Sequence, residues 1–502
     1  MRSSRVVAAV MLVGLLGTAC GARLSAGERK QAAAAVLNAG TGGSGAITGG
    51  SGSTGVTGGG TGTVTGGGGG GGGAVTGGGG AAAGGGSTTT GGGGTGGGSI
   101  KSSGNTQNST GGTKTTSCPT SGTDVGLTKS TINLGTIADL TGPVPGLFTG
   151  AVQGIEAFAN YINHTGGLCG HAIHVDAADG GTNCSQNQND TQNLISKDFA
   201  LVGTFSLYDG CGATILKQHP TVPDIHVSLD PAAGTLSNHF DLEPGGLGYA
   251  TGPFAYYKQK YGASAVQHVG TIIENIPSAV AKQKAIEHAA ESQGWRFTYS
   301  RTAGPTETSF TNDFTKMCNS GVRIFFEVTE NAQNAATMLQ NEHANSRCNN
   351  LINIIPIAYD QALLGFYQGN KNDLKVQGYN EYSMFFNTQD AAQIPELKLL
   401  QTWFRRTNPG KPLNLYAMYA WADGRLFQQA FENAGKVANR RTVLAALHKI
   451  KNFNAGGVVA PAEPGSKSVG VHCYVVWQLA NSQFTRVAPS SGYRCDGRFL
   501  RD

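Results

Sequence analysis

No apolar run in this sequence is long enough to span a membrane. The stretch 6–16 reaches only about eleven residues, against the roughly 20 that a bilayer core demands. Charge is also scarce: 13% of residues are charged and the formal net charge is +5. Two Arg-Arg pairs occur, Arg405-Arg406 and Arg440-Arg441. Both fall in helical patterns and read as solvated faces, so no nucleic-acid surface is expected. No C-x-x-C and no H-x-x-x-H pair occurs, so no motif-type metal centre is expected. The catalytic and nucleotide signatures are missing too. The first strand–helix turn reads Thr141-Gly142-Pro143-Val144-Pro145-Gly146, not G-x-G-x-x-G. Neither G-x-x-x-x-G-K-[ST] nor H-E-x-x-H occurs, and no G-x-S-x-G follows a strand. The expectation is therefore a protein without cofactor that is not an enzyme.

Glycine is what the chain has in excess, 78 residues, roughly half of them between 40 and 112. Residues 39–117 carry almost no large apolar side chain, so they cannot offset the entropy of ordering. The segment 21–117 is read as a flexible linker, with a reach of roughly 50 Å for its glycine-rich part. Before it, Arg2 and Arg5 precede the apolar run, and Gly17, Thr18 and Ala19 precede Cys20. This has the form of a signal peptide. It resembles the lipobox of bacterial lipoproteins, with Gly17 where that pattern usually has Leu. The resemblance implies lipid on Cys20 and a place on the outer face of the bacterial cell membrane. Export agrees with the cysteine count. Nine are present, and setting Cys20 aside leaves an even number for disulfides. Short spacing favours Cys184-Cys211, Cys318-Cys348 and Cys473-Cys495, which leaves Cys118-Cys169.

From 131 onward, β-rich runs alternate with helical runs, the pattern of parallel α/β structure. Strands are expected at 131–138, 171–178, 199–205 and 224–229, with helices at 149–164, 184–197 and 211–219. A helix at 248–261 restarts the series. Strands at 267–273, 297–303, 322–328 and 351–357 then alternate with helices at 278–293, 309–319, 332–345 and 361–367, and 375–386 reads as extended. Helices return over 391–451, and a hairpin is expected about Ala480-Asn481-Ser482. Two βα series imply two Rossmann-like lobes joined by several hinge crossings. Lobe 1 comprises 118–247 and 383–455. Lobe 2 comprises 248–382, with 456–502 returning through the hinge as a C-terminal hairpin.

The ordered set of local pieces resembles the branched-chain amino-acid type of solute-binding protein, with the type I periplasmic-binding fold. The pieces are Ile132-Asn133-Leu134-Gly135, Leu140-Thr141-Gly142-Pro143, Gly154-Ile155-Glu156-Ala157, Leu201-Val202-Gly203-Thr204, Tyr419-Ala420-Trp421 and Val475-Val476-Trp477-Gln478-Leu479. The resemblance implies capture of a small molecule by lobe closure and delivery to the permease of an ABC importer, by a chain expected to act as a monomer. It also places a disulfide at Cys184 and Cys211. A sensor or a wall-associated interaction protein on the same fold is the other reading.

In open α/β sheets a ligand sits beyond the carboxyl ends of the strands. The candidate binding residues are therefore Phe148, Ser206, Tyr208, Ser228 and Asp230 in lobe 1, and Glu274, Thr329, Tyr359 and Asp360 in lobe 2. In the resembled family the lobe 1 hydroxyls meet a carboxylate and an acid near Asp360 meets an ammonium. Each has a plainer reading: Ser206, Ser228 and Asp360 as helix caps, Asp230 before Pro231 as a turn residue. Tyr208 reads equally as a shield at the rim, and Glu274 as a solvated charge. Tyr416, Tyr419 and Trp421 read as core.

Overall fold

The computed structural model describes residues 118–243, 247–328, 332–346, 348, 351–356, 363, 376–381, 388–480 and 483–502. Thr329, Tyr359, Asp360 and Cys20 lie outside them, as do the helix expected at 361–367 apart from Leu363 and the turn at 481–482.

The first sheet begins with β1 (Thr131–Ala138), followed by α1 (Thr149–His164), β2 (Ala172–Asp179), α2 (Cys184–Ile195), β3 (Ala200–Val202), α3 (Asp209–Leu216), β4 (Asp224–Ile225), α4 (Pro231–Gly234) and β5 (His239–Phe240). Its strands run in the order β2-β1-β3-β4-β5, all parallel. β2 is an edge strand, and its residues are exposed or half-buried except Ile173.

The second sheet follows β6 (Gly248–Ala250) and α5 (Gly252–Tyr261). It contains β7 (Val269–Glu274), β8 (Phe297–Ala303), β9 (Ile324–Val328), β10 (Ile352–Ile354) and β11 (Val376–Glu381), with α6 (Pro277–Ser292), α7 (Thr311–Asn319) and α8 (Ala332–His343) between them. Every residue of β7 is buried, as expected for a parallel strand covered on both faces. After α9 (Thr388–Gln393), α10 (Pro395–Thr407), α11 (Leu415–Glu432) and α12 (Arg440–Leu447), the hairpin β12 (Tyr474–Ala480) and β13 (Gln483–Ala488) joins this sheet antiparallel at β11. The order is β13-β12-β11-β10-β9-β7-β8. The chain closes with β14 (Phe499–Arg501), and a two-residue parallel pair joins Ser121–Gly122 to Val437–Ala438.

Two expectations need correction. The helix expected at 248–261 is shorter, because Gly248–Ala250 pairs antiparallel with Phe499–Arg501. A sequence-distant partner overrides the local helical pattern there. Arg440 is not a solvated-face residue. It is half-buried, with Nε donating to the Phe199 carbonyl at 3.0 Å and Nη2 to the Ile195 carbonyl at 2.7 Å and to the Asp198 carbonyl.

The helix α11 is the central post of the first lobe. Fourteen of its eighteen residues are buried, the composition of a helix covered on all sides. It crosses α1 so closely that a Cβ on Gly154 would overlap the Ala417 carbonyl. Trp421 stacks edge-on against Phe158 at 6.0 Å, and Arg425 forms a paired bridge to Glu396 of α10 at 2.6 and 2.8 Å. Tyr416, Tyr419 and Trp421 are all core residues here. All four cysteine pairs form: Cys118–Cys169, Cys184–Cys211, Cys318–Cys348 and Cys473–Cys495.

Candidate functional site

Acids at the strand ends and in the loops that follow them build the rim of the first sheet. Asp139, directly after β1, is buried. It accepts hydrogen bonds from the Leu207 N–H at 2.8 Å, the Thr182 N–H at 3.1 Å and the Ser206 hydroxyl at 3.1 Å. Burial pushes its pKa upward, and those hydrogen bonds partly oppose the shift. Asp179, the last residue of β2, accepts from the Leu140 and Thr141 N–H groups at 3.0 Å each, from the Thr141 hydroxyl at 2.6 Å and from the Gly181 N–H at 2.9 Å. Asp209 starts α3 and accepts from the Leu229 and Asp230 N–H groups at 2.7 and 3.1 Å. Asp241 follows β5 and accepts from the Ser228 N–H at 3.0 Å and the Ser228 hydroxyl at 2.5 Å. Each carboxylate pins a neighbouring loop, and hydrogen bonds to an ionised acceptor are the stronger kind.

The sequence-chosen residues fall on this frame in different ways. Ser206 and Tyr208 are adjacent, with the Tyr208 N–H donating to the Ser206 Oγ at 3.2 Å. Asp209 ties them to the Leu229-Asp230 segment. The hydroxyls of Ser206 and Ser228 are both donated to acids of the same sheet. The Asp230 carboxylate caps α4, accepting from the Ala232 N–H at 2.8 Å. Phe148 is corrected from rim to core. Its ring is fully buried, 5.3 Å from Phe205 and 4.8 Å from Tyr416, because α1 begins directly after it and turns the side chain inward. On the second sheet, Glu274 ends β7 buried, and its Oε1 accepts from the Asn334 amide at 2.9 Å.

The two rims meet at residues that sequence reasoning missed. Ser278, in the first turn of α6, donates from its hydroxyl to the Leu207 carbonyl at 3.2 Å. Lys282, one turn further on, bridges to Glu243 at 3.0 Å, and the Tyr419 hydroxyl donates to Glu243 at 3.4 Å. Apolar contact accompanies them: Leu207 and Leu229 share a buried cluster with Ile276 and Ala279. Beside this seam lies an open hollow of about 550 Å³ between Pro231 on one side and Asn275, Pro277 and Lys284 on the other. The available sequence signal was an acid directly after an apolar strand, as at Asp139. Nothing local marks Ser278 or Lys282. Among the described residues, one group has donor atoms spaced for a metal ion, namely Asp224, His226 and His239. It lies beneath the rim.

Two α/β sheets meeting through their loop-bearing edges define a two-lobed binding fold. Residues 131–483 match the family model described as periplasmic binding protein, and the protein belongs to that family. It is a family of extracytoplasmic binding proteins, not enzymes. No curated protein is similar enough to match. Solved structures are similar in fold. A solute-binding protein of an ABC transporter from R. palustris, in complex with benzoate, has 13% identity and a TM-score of 0.59, over 74% of this chain and 98% of that one. The fatty acid ABC transporter substrate-binding protein of Thermomonospora curvata has 14% identity and a TM-score of 0.58, over 77% and 95%. The branched-chain amino acid transporter substrate-binding protein LivJ of Streptococcus pneumoniae, in complex with isoleucine, has 16% identity and a TM-score of 0.58, over 72% and 100%. Among the described residues no helix is long and apolar enough to cross a membrane.

Proposed function

We propose that this protein is a solute-binding lipoprotein that traps a small molecule between its two lobes and delivers it to an ABC importer. The observation that carries this reading is the hydrogen bond from Ser278 to the Leu207 carbonyl. It ties a helix start on the second sheet to the loop after β3 on the first. It brings the two rims into contact, as lobe closure on a solute requires. A solute that touches both rims shifts the open–closed equilibrium by its differential affinity for that state. Lipid on Cys20 would hold the chain to the membrane, and residues 21–117 would let the head reach the permease.

The solute class is an amino acid or a related small polar or carboxylate compound. The relatives described above are named for isoleucine, benzoate and fatty acid, all of which carry a carboxylate. The rim of this chain is acid-rich, with Asp139, Asp179, Asp209 and Asp241 on the first sheet and Glu274 on the second. That setting favours a solute which also carries an ammonium group, and an amino acid presents both. The contact set proposed is Ser206, Tyr208, Ser228 and Asp230, with Glu274, Thr329, Tyr359 and Asp360 from the facing rim.

A thermal-shift screen tests this reading. Amino acids are expected to raise the melting temperature, while their des-amino carboxylates have a weaker effect. At 100 times Kd a ligand bound only by the folded state adds about 2.7 kcal/mol. A screen in which neither amino acids, small amides nor carboxylates shift the melt, with no compaction in small-angle scattering, would overturn it.

A further inference from the structure

Beneath the first rim, β4 and β5 run in register with Asp224 opposite His239. The Asp224 carboxylate bridges two imidazoles, with Oδ1 at 2.9 Å from His226 Nδ1 and Oδ2 at 2.8 Å from His239 Nδ1. The far nitrogens face two further carboxylates. His226 Nε2 lies 3.7 Å from Asp209 Oδ2, and His239 Nε2 lies 3.3 Å from Asp241 Oδ2. The His239 ring is thus held between two acids, while the His226 ring is held by Asp224 and faces Asp209 at ion-pair range without a hydrogen bond. This is how metal-binding histidines are arranged, with one nitrogen on the ion and the other on an orienting carboxylate. Donor atoms of Asp224, His226 and His239 all lie within 4.8 Å of one another.

A second observation comes from a different element. Asp423 of α11 is fully buried, and neither of its carboxylate oxygens has a hydrogen-bond partner among the described residues. Its electrostatic neighbours are His226, Asp241 and Asp224. An isolated buried carboxylate is costly, and it must take up a proton or find a cation.

We propose that this cluster binds a divalent first-row transition ion of the zinc type. Asp224, His226 and His239 supply the ligands, Asp241 orients the His239 ring, Asp209 faces the His226 ring, and Asp423 adds a buried negative charge beside the ion. Two imidazoles and one carboxylate form an N/O set that suits such an ion and leaves a fourth position open. At ligand distances of about 2.0–2.2 Å the ion replaces the two hydrogen bonds of Asp224. Its charge also answers the buried Asp423. Asp209 and Asp241 are the acids that hold the Ser228–Asp230 segment through the Leu229 and Ser228 N–H groups, so metal occupancy stiffens that part of the rim. The site is independent of which solute the cleft takes.

The test uses the full chain, stripped with chelator and titrated with cobalt as a visible probe, then with zinc. One equivalent of cobalt should give d–d absorption that zinc abolishes, and zinc should remain at one per chain after gel filtration and raise the melting temperature. Asp241→Asn should bind about 10–100-fold more weakly, and His239→Gln, which removes a ligand, more weakly still while keeping its circular dichroism. A folded, stripped chain that takes up neither metal overturns the proposal and leaves a proton-linked network in its place. Undiminished binding by both variants overturns it too, since the ion then sits elsewhere. If the variants fail to fold, the wild-type titration decides alone.

Discussion

Asp224 in the first sheet and Glu342 on α8 beside the second are both buried acids, at 0% and 2% exposure. Their surroundings treat charge in opposite ways. Two histidines meet the two oxygens of Asp224 and hold its carboxyl well below the usual range against the opposing effect of burial. Around Glu342, burial dominates and pushes the carboxyl up to about 8, with Asn353 only partly opposing the shift. Burial alone therefore does not decide ionisation in this fold. The first lobe stores charge beneath its rim. The second lobe pushes Glu342 towards its protonated form at physiological pH.

Replacing Asp224 with Asn should break this comparison most severely. It removes the anion between two imidazoles while leaving the His226 side, whose pKa is raised well above the ordinary histidine value by Asp224 and Asp209 against desolvation. Breaking a buried pair by removing one partner costs about 3–5 kcal/mol. Urea unfolding at neutral pH should show a loss of that order. A loss below about 1 kcal/mol would mean that the histidines are neutral and indifferent to Asp224.

Glu342→Gln sharpens the comparison from the other side. The folded pKa of about 8 lies above the unfolded value, so the native state holds the extra proton. This contribution to stability is fully present below about pH 4. It falls as pH rises towards the folded pKa, by about 1.4 kcal/mol per pH unit at most. The Gln variant should lose this slope, melting higher than wild type at pH 8–9. Parallel pH–stability curves for the two proteins would show that Glu342 is solvated.

How much of this was legible in the sequence depended on how local each signal was. β7 was readable because VGTIIE is a short apolar run between turn signals. The disulfides were readable because three pairs close short loops and the fourth follows by elimination. β5 was not readable: His239-Phe240 is too short to carry a period, and only its pairing with Asp224-Ile225 makes it a strand. Gly248–Ala250 looked helical because its partner is the far end of the chain. At the site, the loops around Ser206 and Ser228 could be found from strand ends. Whether their hydroxyls were free could not, because Asp139 and Asp241 come from different strands. The His226/His239/Asp423 group has no short motif, since α11 brings Asp423 from far along the chain.

The smallest effect separates two adjacent arginines that the sequence presents as equivalent. Arg441 is exposed, whereas Arg440 is half-buried and spends its guanidinium on the carbonyls of Ile195, Asp198 and Phe199. Those carbonyls lie where α2 ends and the chain turns into β3. Arg440 therefore caps a helix end and pins the sheet's third strand at once. Its pKa is lowered by burial, with Asp124 and Asp198 opposing the shift, so the contact already carries a desolvation cost that a weaker network would not sustain. Arg440→Ala leaves three carbonyls short of a donor and should destabilise by about 2 kcal/mol, the scale of hydrogen bonds to a charged group. Arg441→Ala should stay within about 0.5 kcal/mol of wild type. Paired denaturant melts measure both, and equal effects would return Arg440 to the solvated face that its sequence pattern suggests.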